Sequence, residues 1–146
     1  MAFNILVVDD SETMRTAVKK VVTMAGIPVG EFYEAANGKE ALRMMEEQWV
    51  DVILSDINMP EMNGLEFLRT VKQNKVHANI PVIFITTESS EARVEEARGM
   101  GVAGYIKKPF VPETIKKMLY DVLSTAYEQP LGGDSSEREL DEGMDF

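Results

Sequence analysis

VILSDINMPEMNGLEFL, residues 52–68, decides how this chain folds. Val52-Ile53-Leu54 is a short apolar run of the kind that forms a buried strand. It ends in Asp56, and Pro60, Asn63 and Gly64 then punctuate a turn before Leu65 and Leu68 begin a helical period. Asp is a poor strand residue and is costly to bury without a partner. A carboxylate at the point where a buried strand leaves the core therefore needs either turn chemistry or a ligand to explain it.

Working outward, four more apolar runs recur: Ile5–Val8, Phe32–Ala36, Pro81–Thr86 and Val102–Ile106. The first, third and fourth of the five are continuous and rich in Val, Ile and Leu, as strands covered on both faces are. Helical periods lie between them. Met14, Ala17, Val18, Val21, Val22 and Ala25 share one face, with Ser11 as N-cap and Gly26 as the stop. Ala41, Leu42 and Met45 repeat the pattern, as do Leu65, Leu68 and Val71. Ala92, Val94 and Ala97 carry a weaker helix over 90–99. Pro112 opens the last helix, whose inward face is Ile115, Met118, Leu119, Val122 and Ala126. Strand and helix alternate five times, which predicts an α/β protein: a doubly wound (βα)₅ chain with an open parallel sheet between two helical layers.

In such sheets, sites form outside the carboxyl ends of the strands. Asp9 and Asp10 follow the first strand, Asp56 the third, Thr86 and Thr87 the fourth, and Lys107 and Lys108 the fifth. Carboxylates gathered at one rim repel, two charges about 4 Å apart costing on the order of 4 kcal/mol at an effective dielectric of 20. A cation relieves that repulsion. Oxygen ligands without His or Cys favour a hard ion, and a water-rich shell favours Mg²⁺ over Ca²⁺. A carboxylate beside Mg²⁺ can accept a phosphoryl group as an aspartyl phosphate, with a lysine neutralising its oxygens and Thr86 donating a hydrogen bond to one of them.

Composition narrows the alternatives. The 146 residues fit one domain and contain no cysteine, so disulfides, thiolate metal sites and cysteine nucleophiles are excluded. The start MAFNILVVDD lacks the basic region of a signal peptide, and no apolar stretch approaches the roughly 20 residues of a membrane span. A cytoplasmic protein is expected. A net charge of −10 argues against nonspecific nucleic-acid binding. Residues 128–146 hold seven acids (Glu128, Asp134, Glu137, Glu139, Asp141, Glu142, Asp145) against Arg138, so most of that charge lies in an acidic, flexible tail behind a domain of residues 1–127. Ser136 and Glu139 there form a capping-box pattern, and the tail reads either as a solubilising end or as a docking peptide for the output surface.

ILVVDDSETMR, SDINMPEMNGLEFL, PVIFITTE and GYIKKPF, in this order and spacing, resemble the response-regulator receiver domain, and within it the single-domain chemotaxis regulators (CheY-like). The resemblance runs from about Asn4 to Ala126. It implies a flavodoxin-like three-layer sandwich with strand order 2-1-3-4-5, an order that comes from the resemblance and not from the residues. It also implies that Asp56 is the phosphoacceptor, that Asp9, Asp10, Asp56 and the backbone carbonyl of Asn58 hold Mg²⁺, and that Thr86 and Lys108 contact the phosphoryl group. Tyr105 matches the aromatic switch, Asn58 and Glu88 the positions that influence phosphoryl lifetime, and Lys108-Pro109 a cis peptide. The implied partners are a histidine kinase and a downstream protein such as the flagellar motor switch or a phosphatase. The downstream protein would read the surface of the fourth helix, fifth strand and fifth helix of a monomer that is a signalling phosphoacceptor rather than an enzyme.

Competing readings are a phosphorelay intermediate, a phosphorylation-independent adaptor, an aspartate-nucleophile phosphatase and an FMN carrier. The adaptor would show a substituted Asp56, Thr86 or Lys108. The phosphatase wants a second Asp where Asn58 stands, and Asp9-Asp10-Ser11-Glu12 would repel the phosphate of FMN. His77 is expected in a loop, Lys107 as an exposed neighbour of Lys108, and Trp49 as a packing cap on the core.

Overall fold

The computed structural model describes residues 2–127. Five parallel strands, β1 (Phe3–Val8), β2 (Val29–Ala35), β3 (Val52–Ser55), β4 (Val82–Thr86) and β5 (Gly104–Lys107), alternate with helices α1 (Glu12–Met24), α2 (Gly38–Glu47), α3 (Gly64–Gln73), α4 (Glu91–Gly99) and α5 (Pro112–Tyr127). The strand order is β2-β1-β3-β4-β5. Successive side chains of a strand face opposite ways, and the core divides on that period. Phe3, Ile5 and Val7 of β1 join Val18 and Val22 of α1 and Ile115, Leu119 and Leu123 of α5 in one cluster. Leu6 and Val8 join Ala41 and Met45 of α2, Leu65, Phe67, Leu68 and Val71 of α3, and Ala97 of α4 in the other. Two cores, one on each face of the sheet, make the three-layer sandwich expected from the sequence.

Local stops and starts follow the residues. Ser11, Asn37, Asn63 and Ser90 each accept a backbone N–H of the first helical turn, and Asn63 with Glu66 completes a reciprocal capping box. Gly26 ends α1 at φ +81°, a left-handed conformation that favours glycine.

Several expectations need correction. β2 starts three residues before Phe32, because as an edge strand it is half exposed and Val29-Gly30-Glu31 carry no apolar run. β5 starts at Gly104, since Val102 is tied back to Ala97 O and Gly101 turns at φ +85°. Ala92 is exposed, and α4 buries only Ala97. Ala126 is exposed as well. Leu123 takes the inward place, and in the last turn Tyr127 packs on Phe3 at a centroid separation of 5.8 Å. Trp49 is not a cap on the core: it is 57% exposed. His77 lies in the α3–β4 connection and Lys107 is exposed. The acidic segment 128–146 and its capping-box pattern lie outside the described residues.

Candidate functional site at the carboxyl ends of the strands

The parallel register brings the site together. β1 and β3 are neighbours with Val8 opposite Ser55, and the Asp56 N–H donates to Val8 O at 2.9 Å, so Asp9 and Asp56 leave the sheet side by side. Asp9, Asp10 and Asp56 each offer a carboxylate oxygen, and these atoms lie within 4.8 Å of one another. β5 reaches the same rim two strands away. Lys108 N donates to Thr86 O at 2.8 Å, and its Nζ lies 2.9 Å from Asp9 Oδ2 and 3.4 Å from Asp56 Oδ2. Asp9 and Asp56 are buried, whereas Asp10 is exposed. The Lys108–Pro109 peptide is cis.

Each carboxylate of the buried pair is held on one oxygen and free to act on the other. Asp56 Oδ1 accepts from the Ile57 N–H at 2.7 Å and from Asn58 N–H at 3.4 Å, which leaves Oδ2 facing Lys108. Asp9 Oδ1 accepts from Ser11 N–H at 2.9 Å. The loop after Asp56 is fixed by the approach of Gly64, whose N–H donates to Ile57 O at 2.8 Å. A Cβ there would stand 2.8 Å from Ile57 Cα, so only glycine fits.

Three carboxylates against one ammonium leave a surplus of negative charge in an all-oxygen donor set. A divalent hard cation fits that set. Asn58, exposed beside Asp56, has a carbonyl that could add to it, and solvent can reach the rim through Asp10. The residues present therefore fit Mg²⁺.

A second group of side chains touches the site through one loop. Thr86 is fully buried, while Thr87 is exposed. Thr86 Oγ1 accepts from the Glu88 N–H at 3.1 Å, and Glu88 O accepts from the Tyr105 hydroxyl at 2.7 Å. The Tyr105 ring is half-buried and meets Phe84 edge-on at 6.2 Å and 80°. Burial raises the Tyr105 phenol above its ordinary value of 10.0, and the charges of Glu88 and then Asp56 push the same way. Two hydrogen bonds thus link Thr86 at the end of β4, through the Glu88 backbone, to Tyr105 of β5.

The sequence reading overlooked Arg15, Lys19 and Ser55. Arg15 donates through its guanidinium to Asp9 O at 2.6 Å and to Glu34 Oε1 at 2.9 Å, bracing the first acidic turn against β2. Lys19 adds a second contact to Glu34, and the hydrogen bonds from Lys19 and Arg15 hold the Glu34 carboxyl below its ordinary range. Ser55, 1% exposed, donates its hydroxyl to Asp56 O at 2.8 Å.

This chain belongs to the response regulator receiver domain family, whose model matches residues 5–120. Among its relatives, it is 43% identical over 122 residues to a chemotaxis protein CheY homolog of Campylobacter jejuni, covering 83% of this chain and 92% of that protein. It is 41% identical over 122 residues to chemotaxis protein CheY1 of Helicobacter pylori, covering 83% of this chain and 97% of that one. The solved structure of the chemotaxis response regulator CheY4 of Vibrio cholerae superposes with a TM-score of 0.75 at 38% identity, covering 84% of this chain and all of the other.

Proposed function

We propose that this chain is a two-component response regulator of chemotaxis in which Asp56 accepts a phosphoryl group from a histidine kinase. The observation that carries this reading is the convergence of Asp9, Asp10 and Asp56 within 4.8 Å, with Lys108 Nζ between Asp9 and Asp56. Asp56 Oδ2 attacks the phosphorus of a phosphohistidine. The P–O bond forms as the P–N bond breaks, and the imidazole leaves on the kinase. Lys108 faces the new oxygens and neutralises their charge. Asp9, Asp10, Asp56 and the Asn58 carbonyl are the groups that would hold Mg²⁺, which when bound supplies further charge neutralisation at the transferred group.

The phosphoryl group adds about −1.5 to −2 charge at Asp56. Thr86, whose Oγ1 accepts from Glu88 N–H, has its own proton to donate to a phosphoryl oxygen. Moving toward the phosphoryl group loosens its hold on the Glu88 backbone, and Glu88 O is the acceptor for Tyr105. Phosphate and partner therefore bias one equilibrium from opposite ends, as reciprocal coupling requires. Residues 1–127 act as the receiver and 128–146 as an acidic tail. The α4, β5 and α5 surface meets a downstream protein such as the flagellar motor switch or a phosphatase, and Glu88 and Asn58 set how long the phosphoryl group lasts. The protein works in the cytoplasm as a monomeric phosphoacceptor rather than as an enzyme; among the described residues no helix is long and apolar enough to cross a membrane.

The relatives' chemotaxis names favour this reading over a phosphorelay intermediate, and the presence of Asp56, Thr86 and Lys108 favours it over an adaptor. Transfer from a ³²P-labelled chemotaxis histidine kinase tests it. Label should pass to the wild type in Mg²⁺ and not to Asp56→Asn, and label retained on the kinase in both cases would refute it.

A further inference from the structure

A guanidinium near a cluster of carboxylates is drawn to them, yet Arg15 is turned elsewhere. Its side chain is 15% exposed. Nη1 donates to the backbone oxygen of Asp9 at 2.6 Å, and Nε donates to Glu34 Oε1 at 2.9 Å. Lys19, one turn further along α1, takes the other oxygen of Glu34 at 2.6 Å. Glu34 lies on the edge strand β2, opposite Val7 of β1. That strand thus supplies the counter-ion for the two bases of α1.

The contact on Asp9 completes a set. Asp9 N–H donates to Ala35 O at 3.0 Å, Oδ1 accepts from Ser11 N–H at 2.9 Å, and Oδ2 lies 2.9 Å from Lys108 Nζ. The Asp9 carbonyl shares one rigid plane with the N–H of Asp10. Arg15 therefore fixes that plane, and with it the starting point of the exposed Asp10 side chain. Glu34 has a second effect. A guanidinium matches a carboxylate through two parallel hydrogen bonds, and one bonded in that way to Asp9 or Asp10 would fill the oxygens a cation needs. Glu34 holds the Arg15 charge away from them.

We propose that Arg15, anchored by Glu34, is a positioning residue for the cation site: it fixes the Asp9–Asp10 peptide while its own charge is kept off the two carboxylates. This role rests on the rim binding Mg²⁺. ¹H–¹⁵N NMR titration of the full-length protein with Mg²⁺ gives the Kd, and thermal melts in chelator check that each variant is folded. Arg15→Lys keeps the charge but loses the rigid fork that spans Asp9 O and Glu34. It should raise the Kd about tenfold, the low end of what loss of a group that orients a metal ligand costs. Glu34→Gln combined with Lys19→Met leaves the local net charge unchanged and frees Arg15, and should raise the Kd likewise. Lys19→Met alone removes a positive charge without touching Asp9, and should leave the Kd at or below that of the wild type. A wild-type Kd in Arg15→Lys or in the double variant would overturn the proposal, as would an equal rise in Lys19→Met. A wild type whose spectrum ignores Mg²⁺ would instead refute the reading of the rim, and this role with it.

Discussion

Replacing Asp56 by Asn should make the metal-free protein more stable, and the size of the gain follows from the rim. At an effective dielectric of 20, repulsion from Asp9 and from Asp10, each within 4.8 Å, costs at least about 3.5 kcal/mol apiece. Attraction to Lys108 at 3.4 Å returns about 5 kcal/mol. The charge on Asp56 is thus net unfavourable by at least about 2 kcal/mol. Asn keeps the shape and the Oδ1 acceptor for the Ile57 N–H, so little else is lost. For a domain of this size the gain corresponds to roughly 6–10 °C in Tm. Far-UV circular dichroism melts at neutral pH, low salt and excess chelator measure it. Added millimolar Mg²⁺ should then raise the wild type's Tm more than the variant's, because binding to the native state stabilises by mass action. An Asp56→Asn protein that melts at or below the wild type in chelator would refute this electrostatic account of the rim.

Gly64→Ala should destabilise the fold by about 1–3 kcal/mol, since the added methyl meets backbone at Ile57 and cannot be relieved by a rotamer change; a melt within a degree of the wild type would contradict the close approach. Tyr127 yields a pH prediction. Burial, with the charge of Asp51 adding, pushes its phenol up to about 12. The unfolded chain ionises near its ordinary value of 10.0, so this contribution is whole below pH 10 and is lost as pH rises toward 12. Tyr127→Phe should therefore melt lower at neutral pH, having lost the hydrogen bond to Asp51 O, yet decline less steeply between pH 10 and 12 than the wild type. Glu34 works with the opposite sign. Its depressed carboxyl contributes stability above its ordinary value of 4.5 that is lost as pH falls through its folded value, so Lys19→Ala should flatten the acid limb of the stability profile.

The three interior strands were legible because strands buried on both faces become unbroken apolar runs, and Ile5–Val8, Val52–Leu54 and Pro81–Thr86 are such runs. The polar residues at their ends were legible for the same reason: after an apolar run, Asp9, Asp56 and Thr86 have no camouflage. The edges were harder. β2 is half exposed and begins at Val29 amid Gly30 and Glu31, so its pattern dissolves into that of a loop. Trp49 misled because size and apolarity imply burial, whereas its position is set by an indole hydrogen bond to Asp51. Asp51 was overlooked because, Trp49 apart, its partners Asn4 and Tyr127 lie 47 and 76 residues away. Arg15 likewise works across elements, joining Asp9 to Glu34 of β2. Contacts of that range are a product of the fold and cannot be read from spacing within one element.

Intact mass after incubation with acetyl phosphate tests the central claim most directly. Wild type in Mg²⁺ should gain one phosphoryl group, and neither wild type in chelator nor Asp56→Asn in Mg²⁺ should gain any. A phosphoryl group that still appears on Asp56→Asn would contradict the account by placing the acceptor elsewhere.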